Sequence, residues 1–133
     1  MSAPAQDCEE IRQLIAQYCH YVDSVRSKEI VGLFSSDAVL DMAGTKTAGA
    51  EAIEAFFEGL RGVYEVRPML HHVNNVLIDV DGDEATSQSY ILVVVPGDPI
   101  AISMTGRYDD RFRRIDGEWR FVERRMTPDG RPA

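Results

Sequence analysis

The feature that most constrains this chain is a change of hydrophobic period at Pro68. Before it, apolar residues recur at spacings of three and four; after it they alternate with polar ones, the periods of helix and strand respectively. In residues 7–25, DCEEIRQLIAQYCHYVDSV, the residues Ile11, Leu14, Ile15, Tyr18, Val22 and Val25 form one stripe of an amphipathic helix. Asp7 followed by Glu10 has the capping-box pattern and predicts the helix start. Ser27 is expected to cap a short second helix, KEIVGLF, with Ile30, Leu33 and Phe34 inward. A short strand over 38–42 ends at Gly44, and 45–47 returns beside it. Residues 49–60 read as a third helix, with Ile53, Phe56, Phe57 and Leu60 toward the core and Glu51, Glu54 and Glu58 outside.

Beyond Pro68 the alternation predicts strands over 70–80, 85–95, 100–113 and 119–126. Asp81-Gly82 and Asp116-Gly117 make hairpin turns, and Pro96-Gly97 stops the second of these strands. The tail 127–133 is expected to be frayed. Helices first and a meander of long strands afterwards give an α+β class, the N-terminal helices lying on one face of a curved, mostly antiparallel sheet. A chain of 133 residues forms one domain, 1–133, with a core from about 7 to 126. The space between the sheet's concave face and the helices is the expected place for a small-molecule site.

The formal net charge of −8 disfavours a nucleic-acid partner, which needs a basic patch. Seven arginines fall between Arg107 and Arg125, but acids interleave with them, so cross-strand ion pairs are expected. The first residues, MSAPAQDCEE, lack the basic and apolar regions of a secretory signal. No apolar run approaches the roughly 20 residues that span a bilayer. Cys8 and Cys19 lie too far apart on one helix to bridge, which fits reduced thiols and a cytoplasmic location. There is no zinc-ligand spacing, no phosphate-binding glycine loop and no dinucleotide fingerprint, so neither metal nor cofactor is expected.

Polar residues on apolar elements are the candidates for chemistry. Tyr18 lies on the first helix's stripe, so its hydroxyl points inward. Asp23 sits at the stripe's margin, where a covered carboxylate needs a partner. His20 falls on the polar side and reads as solvated. His71 and His72 open a long strand, so one faces the concavity and the other faces away; parity alone does not say which. Each candidate also has an ordinary structural reading. Tyr18 is then a core tyrosine, Asp23 a helix-end residue bonded to backbone, and the histidine a strand-end donor to a carbonyl. Arg124 pairs across strands with Asp109, Asp110 or Glu123 in that reading.

The order of YCHYVD, LFSSDAVLD, GAEAIEAFF, HHVNNVLIDVDGDEA and GRYDDRFRRIDGEWRFVERR resembles the SnoaL-like domain over about residues 9–126. That domain is a branch of the cone-shaped nuclear-transport-factor-like superfamily, so the resemblance implies a single-domain cone, or half-barrel. Within it the chain is most similar to cofactor-free lyases: hexachlorocyclohexane dehydrochlorinase, bile-acid 7α-dehydratase and, more distantly, scytalone dehydratase. In the first two, a first-helix aspartate pairs with a histidine that begins a long strand. A polar residue five before the aspartate and a last-strand arginine complete the set. The positions matching these are Asp23, His71, Tyr18 and Arg124. The family pattern HxxxN, met by His71 and Asn75, selects His71 over His72. Departures are also visible: Thr105 stands where scytalone dehydratase has a second histidine, and Asp41 is one position early for the ketosteroid isomerase base.

What the resemblance implies is chemically coherent. A carboxylate bonded to one imidazole nitrogen fixes the tautomer and raises the basicity of the other. Tyr18 and Arg124 would serve as donors to developing negative charge. The expected activity is a cofactor-independent lyase or isomerase of the dehydratase type, acting on an apolar, ring-bearing substrate. The alternatives are a polyketide cyclase working by intramolecular aldol chemistry, and a non-catalytic domain that binds small molecules or dimerises. The convex face of the sheet is expected to support a homo-oligomer, dimer or trimer.

Overall fold

The computed structural model describes residues 4–130. Its elements are α1 (Pro4–Asp23), α2 (Ser27–Val31), β1 (Phe34–Met42), β2 (Thr45–Ala48), α3 (Ala50–Glu58), α4 (Arg61–Val66), β3 (Leu70–Asp81), β4 (Glu84–Val95), β5 (Ala101–Ile115) and β6 (Glu118–Pro128). The strands form one sheet in the order β2-β1-β6-β5-β4-β3. Every pairing is antiparallel except β1 with β6, so the sheet is mostly antiparallel. The helices pack against its concave face. This is the α+β cone.

Alternation along the strands supplies the inner face of the cone. Ile91 and Val93 of β4, Tyr108 and Phe112 of β5, and Phe121 and Met126 of β6 are all buried there. Ile11, Leu14, Ile15, Tyr18 and Val22 of α1 and Ile53 and Phe57 of α3 close the core from the other side. On β3 the residues His71, Val73, Val76, Ile78 and Val80 are half-buried while their neighbours are exposed. The inward set changes parity at Asn75, a bulge residue with φ 55°. Asparagine is among the few side chains that accept this left-handed backbone.

Several local expectations need correction. α1 starts at Pro4, so Asp7 lies inside the helix and does not cap it. The Asp7 carboxylate is buried, accepting from Arg114 Nη1 at 2.7 Å and from Trp119 Nε1 at 3.2 Å. Ser27 is the first residue of α2, not its cap; its hydroxyl donates to Glu58 Oε2 at 2.6 Å. α2 ends at Val31, which places Phe34 at the start of β1 instead of on a helix. α4 has no counterpart in the sequence reading. The tail was expected to fray from residue 127, but Thr127 and Pro128 continue β6 opposite Arg107 and Gly106. Residues 131–133 of that tail lie outside the described residues.

Candidate functional site

α1 ends at Asp23, and the chain turns sharply through Val25 at φ 50°, a strained value for a β-branched residue. β3 is an edge strand, so part of its backbone has no neighbouring strand to bond. Asp23 fills that need at His71. Its Oδ1 accepts the His71 backbone N–H at 3.0 Å and lies 2.7 Å from His71 Nδ1. An ionised carboxylate oxygen only accepts, so this contact places the ring proton on Nδ1 and leaves Nε2 as the basic nitrogen. The His71 side chain is 10% exposed and that of Asp23 21%. His71 is the histidine on the inner face; His72 points outward. The Tyr64 ring of α4 lies nearly parallel to the His71 imidazole, 6.4 Å between centroids. Burial, and then the charge of Asp23, push the Tyr64 hydroxyl up to about 12.

Tyr18 and Arg124 form a second pair, deeper in the cone. Both are fully buried. Tyr18 meets Phe34, Phe57, Tyr108 and Phe121 edge-on at 5.9–6.2 Å. The Arg124 guanidinium carbon sits 3.4 Å from the Tyr108 ring centroid and 4.2 Å from that of Tyr18, a double cation–π contact. Its counter-charge is Asp110, 3.2 Å from Nε, with both side chains 0% exposed. Among the described residues, Nε, Nη1 and Nη2 of Arg124 find no well-directed acceptor. Burial raises the Tyr18 hydroxyl well above its ordinary value, against the pull of Arg124. Tyr108, bonded to Tyr18, is displaced upward for the same reason.

The four sequence candidates therefore stand as two pairs, Asp23–His71 and Tyr18–Arg124, and not as one constellation on a common surface. Cys19 lies between them, within electrostatic reach of both Asp23 and Arg124. Burial pushes its thiol up to about 11, so it is no thiolate nucleophile near neutral pH. An open cleft of about 320 Å³ runs along α1 and β3 and is lined by Cys19, His71 and His72 among others. Tyr18 and Arg124 do not line it. Sequence reasoning gave Tyr64 no part in the site. Asp110 was one of three possible partners for Arg124, and only the β5–β6 register, which sets Asp110 opposite Arg124, selects it. No group of His, Cys, Asp or Glu suited to a metal ion occurs among the described residues.

Fold and site first define a class: a cone-shaped domain with polar groups buried under its helices. A solved NTF2-like protein with a cystatin-like fold from Novosphingobium aromaticivorans superposes with a TM-score of 0.89 at 26% identity, over 97% of this chain and 86% of that one. ActVI-ORFA from Streptomyces coelicolor shares the fold at 17% identity, with a TM-score of 0.88 over 98% of this chain and 100% of that one. The chain belongs to the SnoaL-like family, whose domain model matches residues 3–125. Members of that family include polyketide cyclases and dehydratases. Rv2910c of Mycobacterium tuberculosis, an uncharacterised protein, is 29% identical over 130 residues, covering 94% of this chain and 87% of that protein.

Proposed function

We propose that the protein is a cofactor-independent lyase or isomerase of the dehydratase type, with His71 as general base and Asp23 as the residue that orients it. The observation that carries this reading is the double contact of one Asp23 oxygen with the backbone N–H and ring Nδ1 of His71. Such anchoring holds the ring in one orientation and one tautomer, with Nε2 free to take a proton from carbon next to a carbonyl. In this reading Tyr18 and Arg124, which do not line the cleft, contribute from beneath it through the charge of Arg124, which reaches Cys19 on the cleft wall. The N–H groups of Arg124 have no well-directed acceptor, and in a water-poor interior the part of its charge that Asp110 does not balance favours negative charge developing nearby. The substrate of this reading is mostly apolar and carries a ring.

Replacing His71 by Ala is expected to lower turnover of a dehydratable or isomerisable ketone by about 10²–10⁴, the usual contribution of a general base. Asp23→Asn, which offers an amide where the tautomer needs an acceptor, should also lose most activity. Unchanged turnover in His71→Ala sinks the assignment. Aldol cyclisation is the second enzymatic reading, since it starts with the same proton abstraction. Product analysis separates the two because cyclisation keeps the oxygen that dehydration expels.

We propose also that two copies associate through the convex face of the sheet, and that the protein works in the cytoplasm. The first rests on exposed apolar residues of that face. For the second, Cys8 and Cys19 are free thiols, and no helix among the described residues is long and apolar enough to cross a membrane.

A further inference from the structure

The cleft along α1 and β3 has a lining unlike the rest of the molecule. The chain has 22 acidic residues against 14 lysines and arginines, yet no carboxylate lines this cleft. Its polar residues are Arg12, His20, His71 and, at the outer rim, His72, over apolar residues such as Ile15 and Val76. All three histidines of the protein are therefore in one place. Helical spacing explains the α1 contribution: positions 12, 16 and 20 are four apart and share a flank, which Asp23 continues at the cleft's end. The bulge at Asn75 explains the β3 contribution, because it returns Val76 to the side that His71 and Val73 face.

Among the described residues, the side chains of Arg12 and His20 have no hydrogen-bond or ion-pair partner, whereas Asp23 is already engaged with His71. We propose that this cleft binds a carboxylate-bearing, otherwise apolar small molecule, with Arg12 and His20 of α1 holding the carboxylate and the apolar floor taking the ring. Arginine matches a carboxylate with paired N–H groups, and the His20 imidazole adds a further donor. At about 320 Å³ the cleft lies at the small end of ligand sites, which run from about 300 to 1,000 Å³, and admits one or two rings. The inference names the substrate class of the proposed active site, and it rests on that reading only in placing the reacting carbon beside His71. Binding itself needs no chemistry.

The test uses 2-naphthoate and its neutral isostere naphthalene-2-carboxamide, titrated into the whole protein while the ring proton signals of the three histidines are followed by NMR. Naphthoate should give saturable shifts at His20 and His71, weakening as salt is raised, and the carboxamide should bind several-fold more weakly. Arg12→Ala, a change at an exposed position, should weaken naphthoate about fivefold, the worth of a solvent-facing ion pair, and leave the carboxamide unchanged. Equal affinity for the two probes, indifference to Arg12→Ala, or no saturable histidine shift overturns the proposal. His71→Ala separates it from the catalytic reading. Retained turnover there with Arg12-dependent naphthoate binding removes the base and keeps the carboxylate site; lost turnover with no preference for naphthoate does the reverse.

Discussion

At the residue scale, the most confined charge in the molecule is Arg124, stacked between two tyrosines with Asp110 as its counter-ion. A buried arginine keeps its proton, so adjustment to burial falls on the carboxylate. Burial pushes Asp110 up to about 6, although Arg124 and the Ser87 hydroxyl pull it down. The native state thus takes up a proton near pH 6 that the unfolded chain takes up near 3.8. Stability from this group is complete below the unfolded value and is lost as pH rises through about 6. Asp110→Asn, which mimics the protonated form, should therefore gain on the wild type as pH rises from about 4 to about 7, by about 1–3 kcal/mol. Urea midpoints of the two proteins across that range check this, and a flat difference means Asp110 does not titrate there. The sequence placed Arg124 within reach of three acids; choosing among them required the strand register.

At the element scale, β6 shows what a periodic pattern reveals and what it does not. Alternation located β3 through β6 to within two residues at each end, because a half-buried strand writes its two faces into the sequence. It stopped at Met126, since Thr127-Pro128-Asp129-Gly130 has turn composition. Contact with β5 overrides that composition: the Asp129 N–H donates to Thr105 O, and Gly106 lies opposite Pro128. A Cβ at Gly106 would stand 2.6 Å from Thr127 O and 3.1 Å from Pro128 Cα, both backbone atoms. Gly106→Ala must therefore push β5 and β6 apart, at about 1–3 kcal/mol, the usual cost of overpacking. The loss should appear in the denaturation midpoint, together with faster amide exchange at Asp129. An unchanged midpoint means this end of β6 is as loose as its sequence suggests. α4 escaped sequence reading for a different reason: RGVYEV buries no residue, so it carries no stripe to read.

At the scale of the whole molecule, the site was legible only in its pairs. Asp23 and His71 are 48 residues apart, and the resemblance to a family, not periodicity, joined them. The basic cleft was not legible, because it depends on how the Arg12–His20 flank of α1 turns toward the edge strand. The convex face raises the remaining question, association. Leu77 is 69% exposed, Tyr90 54% and Ile102 66%, all on the side of the sheet away from the helices. Beside them stand Arg107, Arg111 and Arg125 against Asp79, Asp109 and Glu123, so this face is neutral in a chain of net charge −8. Two copies repel least when they meet through a neutral face, and mixed charges flanking an apolar patch can complement themselves across a two-fold axis. A stable pair needs about 800 Å² from each copy. Sedimentation should give twice the chain mass, and Tyr90→Arg with Leu77→Arg should give one chain mass at unchanged circular dichroism, because both positions are exposed. A wild-type monomer at the highest soluble concentration, or a double variant that still pairs, rules out this face as the interface.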